Sequence, residues 1–314
     1  MEDTVQKAGS FVIAGALAAG LFGCDSGSAP QSESSAEEPV RAAGSGPVKS
    51  EAKVGGLQEG TPGGIGSRVF VVERASSRLS IYDFRRHRLL DYTIDGLGNL
   101  RHATMTFSPD LRFGYLATRN GKLSRIDLRT LKTAGQVQTS ENSIDIAISQ
   151  DGRWVATAEY EPGGVTVLDA RDMKVVAEIP ATYREDGRER RSRATLIVDA
   201  AGNRVGFSLM EGHAVWVEDS NDPGFPVRHK IPVGEGMPYD AMITPDGRYY
   251  VVGHLHKDYV SLVDLHHPQQ GARKVSLRDP DGSHDSEHPV KLPHMASWAV
   301  ARNHIFVPLV GQDR

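Results

Sequence analysis

The sequence predicts an all-β protein of the β-propeller class, and three observations carry that prediction. A short strand ending in Asp recurs as SIYD at Asp83, SRID at Asp127, TVLD at Asp169, WVED at Asp219 and SLVD at Asp264. These endings are spaced by roughly 40 to 50 residues, the period of a four-stranded blade. Tight-turn signals fall between them: SPDLR from Ser108, SQDGR from Ser149, DAAGN from Asp199 and TPDGR from Thr244. The flanking runs, such as RWVATAE and RYYVVGH, are rich in β-branched and aromatic residues and show no sustained helical period. Residues 67–314 accommodate about six blades at this spacing, and the last stops inside HIFVPLVGQDR, in mid-repeat. The expectation is a C-terminally incomplete ring lacking about two blades, with unpaired sheet edges.

Ahead of the repeats, residues 11–22 read FVIAGALAAGLF. That is too short to span a bilayer, which needs about 20 apolar residues, and it fits the apolar region of a signal peptide. LFGC follows, Leu21 to Cys24, and resembles the lipobox at which bacterial lipoproteins are cleaved and lipidated. The leading MEDTVQK carries two acids against one Lys, unusual for such a leader, and a buried core helix is the competing reading. Cys24 is the single cysteine, so an intrachain disulfide and a CxxCH haem attachment are excluded. Residues 25–66 are rich in Ser, Gly, Ala, Pro and Glu and bury too little to order themselves. The expected organisation is a lipoprotein-type signal peptide over 1–24, a flexible linker over 25–66 and a propeller over 67–314. The formal net charge is −4, with no basic excess of the kind that marks a nucleic-acid footprint.

In a propeller, the loops that lead into the innermost strands converge on one face. His102 precedes ATMTFSPD, Ser143 precedes IDIAISQD, Arg193 precedes ATLIVDAAG, Tyr239 and Asp240 precede AMITPDG, and His294 precedes MASWAVA. Each alone reads as a residue that caps its own blade; together they form a constellation at one structural address. Imidazole is the usual axial ligand of haem iron, and the planar Arg fork binds carboxylates in bidentate fashion. Arg119, in the turn TRNGK, is positioned to join Arg193 in such a clamp. The run RERRSR, Arg188 to Arg193, reads as an exposed loop. His254 and His256 have a spacing that places both on one face of a strand, which would bind zinc only with a third ligand. His266 and the SHDSEH loop from His284 to His288 read as solvated. No GxSxG, HExxH or P-loop motif is present.

At LRHATMTFSPDLRFGYLATRNGKLSRIDL, at NSIDIAISQDGRWVATAEYEPGGVTVLDARDMKVVAEIPAT, at ERRSR and at MPYDAMITPDGRYYVVG, the chain resembles the NirF family of haem d1 biogenesis proteins. The likeness runs from about residue 68 to the end and extends, more distantly, to the d1-haem propeller of cytochrome cd1 nitrite reductase. The resemblance implies an eight-bladed propeller in the periplasm, in some members lipid-anchored. It implies a d1-type haem or its dihydro precursor as ligand or substrate. His102 matches the proximal iron ligand of the reductase, and Arg119 and Arg193 match arginines beside its tetrapyrrole. His294 matches one distal histidine, while Tyr239, with Asp240 beside it, stands where the other would be. Tyr160 matches a tyrosine near the haem. The missing distal imidazole and the absence of a c-type haem argue against nitrite reduction.

Three functions follow as expectations. The chain is a binding and carrier protein for a d1-type tetrapyrrole, passing it to other biogenesis proteins or to the nitrite reductase. Alternatively it dehydrogenates a propionate side chain of the precursor, with Tyr239, Asp240 or His294 moving the proton. The third reading is a lactonase-like propeller enzyme or an interaction module without haem.

Overall fold

The computed structural model describes residues 67–277 and 298–307, apart from His256 and Asn303. The segments read above as a signal peptide with Cys24 and as a linker, together with His294, the SHDSEH stretch and residues 308–314, lie outside the described residues. The sheets follow one another along the chain. The first is β1 (Arg68–Glu73), β2 (Arg78–Asp83) and β3 (Arg88–Ile94). The second is β4 (Thr104–Phe107), β5 (Phe113–Ala117), β6 (Lys122–Asp127) and β7 (Lys132–Gln138). The third is β8 (Asn142–Ile148), β9 (Trp154–Glu161), β10 (Gly164–Asp169) and β11 (Val175–Ile179). A separate hairpin, β12 (Thr182–Glu185) and β13 (Arg188–Arg191), comes next. The fourth sheet is β14 (Ala194–Ala200), β15 (Arg204–Leu209), β16 (Ala214–Asp219) and β17 (Val227–Pro232). The fifth is β18 (Met237–Ile243), β19 (Tyr249–Leu255), β20 (Tyr259–Asp264) and β21 (Ala272–Ser276). A short pair, β22 (Ala299–Ala301) and β23 (His304–Phe306), ends the described part.

All pairing is antiparallel and sequential, as in propeller blades. β8 packs against β4 and β14, and β14 against β18, so the first strands of successive sheets lie side by side. Apolar clusters fill the spaces between sheets. One joins Val165 and Val167 of the third sheet to Ile197, Phe207 and Trp216 of the fourth. Another joins Val215 and Val217 to Tyr250, Val252 and Val263 of the fifth. Each large side chain buried in this way contributes about 1.5–3 kcal/mol.

The recurring Asp has a local cause. Asp83, Asp127, Asp169, Asp219 and Asp264 each accept the backbone N–H two residues on, at 2.7–3.1 Å, turning the third strand into the fourth. The first turn of each blade works similarly. Ser108, Ser149 and Thr244 donate to Asp110, Asp151 and Asp246. Their hydroxyls accept the N–H of Phe113, Trp154 and Tyr249 at 2.9–3.0 Å. DAAGN departs from this pattern. Asp199 lies inside β14, and the reversal is made at Ala201–Asn203, with Asn203 at φ +56°.

In the first sheet, β1 pairs its Arg68 with Asp83, as Phe113 of β5 pairs with Asp127. β1 is therefore a second-strand equivalent, and the described residues of that sheet include no inner strand.

Candidate functional site

Antiparallel order fixes which connections share a face. The loops into the first strands and the turns from second to third strands lie at one end, called here the mouth. The Ser-Pro-Asp turns and the third-to-fourth turns lie at the other.

At the mouth, Arg119 follows β5, Tyr160 is the penultimate residue of β9 and Arg193 directly precedes β14. The Arg119 guanidinium lies over the Tyr160 ring at 4.7 Å, and that of Arg193 approaches the same ring at 5.3 Å. Three residues from three sheets thus form one Arg–Tyr–Arg stack. Each guanidinium gains from the negative face of the ring it approaches.

The two cations differ. Arg193 is held by Glu211, from the β15–β16 turn. Its Nε donates to Glu211 Oε1 at 2.6 Å and its Nη2 lies 2.5 Å from the same oxygen. Its backbone N–H donates to Oε2 at 2.9 Å. Ser192 Oγ in turn accepts the N–H groups of Glu211 and Gly212 at 3.1 Å, which fixes the turn. Among the described residues, no ion pair is recorded for Arg119. Glu211 has no sequence signature that would have announced it.

His102 lies two residues before β4, half-buried, in a tight turn closed by the Ala103 N–H to the Leu100 carbonyl at 3.1 Å. Leu100 is fully buried and anchors that turn. The loop leading to it packs on the turn that carries Arg119: Lys122 Nζ donates to the Gly96 carbonyl at 3.0 Å, and Gly98 lies against the Asn120 side chain.

Tyr239 and Asp240 are placed differently from the expectation. They lie inside β18, buried, and not ahead of it. The ladder shifts between Pro238 and Ala241, so two residues face the single Gly253 of β19, a β-bulge. The same irregularity occurs between Ser143 and Asp145 on β8 and between Ala194 and Ile197 on β14. Ser143 too is within its strand. The shared address therefore divides into two levels: His102 and Arg193 ahead of their strands, Tyr239 and Asp240 buried in the bulge within β18.

Asp145 was not anticipated. It is buried in its bulged strand and accepts the Ile197 N–H of the next sheet at 3.0 Å. Burial pushes its carboxyl up to about 7, against the hydrogen bonds from Ile146, Ile197 and Thr104, and the nearby Asp240 adds to the rise. Glu159, next to Tyr160, is 1% exposed and is also pushed by burial to about 7. The mouth therefore combines cations at the rim with carboxyl groups that take up protons near neutrality beneath it.

Two further stretches singled out in the sequence are also placed. His254 is fully buried at the end of β19, its Nε2 2.8 Å from Ser261 Oγ and its ring against Tyr259. Burial lowers its pKa to about 4, so it is a neutral packing residue and no solvent-facing zinc ligand. Its partner His256 lies outside the described residues. RERR is not a loop: Arg188–Arg191 form β13, exposed, paired with β12 beside the mouth.

At the opposite end, a groove of about 460 Å³ is lined by Arg112, Phe113, Arg125, Asp110, Asp151 and Arg171. Arg125 donates there to the carbonyls of Ala170, Arg171 and Ala134, so its charge serves the turns around it.

The family model for the Cytochrome D1 heme domain matches residues 66–314. Protein NirF of Pseudomonas aeruginosa is 41% identical over 252 residues, which cover 80% of this chain and 63% of that protein. Protein NirF of Stutzerimonas stutzeri is 39% identical over the same shares. The chain thus spans 63% of the length of these curated relatives. A dihydro-heme d1 dehydrogenase of Pseudomonas aeruginosa is 36% identical over 178 residues, covering 56% of this chain and 34% of that one. Among solved structures, dihydro-heme d1 dehydrogenase NirN in complex with DHE superposes with a TM-score of 0.57 at 27% identity, covering 69% of this chain and 44% of that one. Kuenenia stuttgartiensis hydrazine synthase, at 18% identity and a TM-score of 0.50, covers 64% of this chain and 62% of that one, and shares the fold alone.

Proposed function

The chain belongs to the Cytochrome D1 heme domain family as a NirF homologue, and from that premise we propose that it binds a d1-type tetrapyrrole at the mouth during haem d1 biosynthesis. The observation that carries the reading is the Arg119–Tyr160–Arg193 stack on the face that also presents His102. Haem d1 and its dihydro precursor are carboxylate-rich macrocycles. Two guanidinium groups on a common aromatic platform suit carboxylates, and an imidazole suits the iron. The donor set therefore fits the group. His102 would ligate the metal; Arg119 and Arg193 would hold side-chain carboxylates; Tyr160 would keep both cations in place. When bound, the tetrapyrrole supplies a conjugated ring able to accept or release electrons.

Binding and delivery is the primary reading. The solved relative named as a dihydro-heme d1 dehydrogenase with DHE supports the dihydro precursor as ligand class. A second reading, side-chain dehydrogenation, draws on Asp145, Tyr239 and Asp240, which would take up a released proton, and requires a separate electron-acceptor protein to receive the two electrons. His294 remains a candidate distal residue in either case. We further propose a periplasmic location with an acyl anchor at Cys24, and hand-over to other biogenesis proteins or to cytochrome cd1 nitrite reductase.

The test is an absorption titration with the dihydro precursor. Wild type is expected to give a ligated-iron spectrum, and His102→Ala a changed one. Arg119→Ala is expected to weaken uptake roughly tenfold or more, the scale of a charge-assisted hydrogen bond. No spectral response by wild type would remove the reading and leave a propeller without haem.

A further inference from the structure

Two arginines share the Tyr160 ring, yet one is already neutralised. Glu211 Oε1 occupies the Nε–Nη2 fork of Arg193, at 2.6 and 2.5 Å. That fork is the edge with which an arginine grips a carboxylate in bidentate fashion. The Glu211 side chain is 24% exposed and that of Arg193 39%, so the pair is only partly screened by water. Arg119 carries no recorded ion pair among the described residues.

We infer that Glu211 is a built-in competitor for Arg193, which makes Arg119 the primary carboxylate acceptor and Arg193 a secondary one that is engaged only as Glu211 lets go. This rests on the tetrapyrrole reading and deepens it by assigning unequal roles to the two cations. A ligand carboxylate approaching Arg193 meets a fork that is occupied and a like charge behind it. Its hold on that side is weak and reversible. Such a site grips a polycarboxylate firmly at one corner and loosely at another, which suits a ligand that must leave again. Ser192 Oγ accepts the N–H groups of Glu211 and Gly212 and donates to Glu211 Oε2 at 3.2 Å, contacts that an amide oxygen in the Oε2 position retains. In Glu211→Gln the amide oxygen can still accept the Arg193 N–H.

The test uses the full chain and two probes, haem d1 and its methyl esters, titrated into wild type, Glu211→Gln, Arg193→Gln and the double variant. The expectation is that Glu211→Gln binds haem d1 roughly tenfold more tightly than wild type. The gain should vanish with the esters and in the double variant. In the wild-type background, Arg119→Ala should cost more affinity than Arg193→Gln. An unchanged or weakened affinity in Glu211→Gln, a gain that survives esterification, or a gain that persists without Arg193 would each overturn the competitor. So would a Glu211→Gln chain that fails to fold, since Glu211 would then be a structural strut. No uptake by wild type would overturn the tetrapyrrole reading itself, a result distinct from wild-type uptake with no effect at Glu211.

Discussion

His102 has a φ of +67°, in the left-handed region that costs a non-glycine residue of order 1–3 kcal/mol. The turn accepts that cost while presenting an imidazole at the mouth. Glycine tolerates the same backbone without penalty. His102→Gly is therefore expected to hold stability within about 1 kcal/mol of wild type while losing the iron-ligated spectrum. Denaturant unfolding and an absorption titration, run together, check both halves. The positions of His102, Arg119 and Arg193 were legible in the sequence because they abut recognisable strands and turns, whereas Tyr160 was pointed to only by the family resemblance. Glu211 was not, because nothing in LMEGH signals that its carboxylate turns onto the residue facing it at the head of the neighbouring strand. Asp145 was hidden inside an apolar run, where alternation alone cannot say which residue faces the channel.

At the scale of elements, the turns were the readable part. The Ser/Thr-Pro/Gln-Asp hydrogen bonds and the terminal Asp of each third strand depend on local residues, so a local pattern reports them. The bulges on β8, β14 and β18 fall where the first strands of successive sheets lie side by side, a tertiary contact of which the sequence carried no mark. The same holds for β12–β13: a charged run has no apolar alternation, and only pairing reveals it as a hairpin. The β5–β6 turn offers a test of how elements hold the site. Gly121 has φ +71°, and a methyl group there would run into the Ser140 carbonyl of the loop before β8. Gly121→Ala combines that clash with an unfavourable backbone. It is expected to cost about 2 kcal/mol or more and to weaken tetrapyrrole uptake through the displacement of Arg119 two residues away. Equal uptake by this variant would detach Arg119 from the site.

At the scale of the whole molecule, three carboxyl groups among the described residues lie buried with pKa values raised by burial to about 7: Asp145, Glu159 and Glu218. A raised carboxyl pKa means that the folded state binds the proton more tightly than the unfolded chain. The stabilisation is present at low pH and is lost as pH rises through about 7. His254, lowered to about 4 from 6.5, works in the opposite sense, but only below about 6.5. Between pH 8 and 6.5 the carboxyls act with little opposition from it. Acidification over that window is expected to stabilise the fold by about 2 kcal/mol, and Asp145→Asn to remove about a third of the gain. Thermal melts at matched ionic strength measure both, and a melting temperature that falls on acidification would contradict the burial. Finally, the β12–β13 hairpin interrupts the blade rhythm with Arg184, Arg188, Arg190 and Arg191 exposed, immediately ahead of Arg193. That makes it a natural cleavage point for trypsin, whose nicking rate would serve as a label-free readout of mouth occupancy.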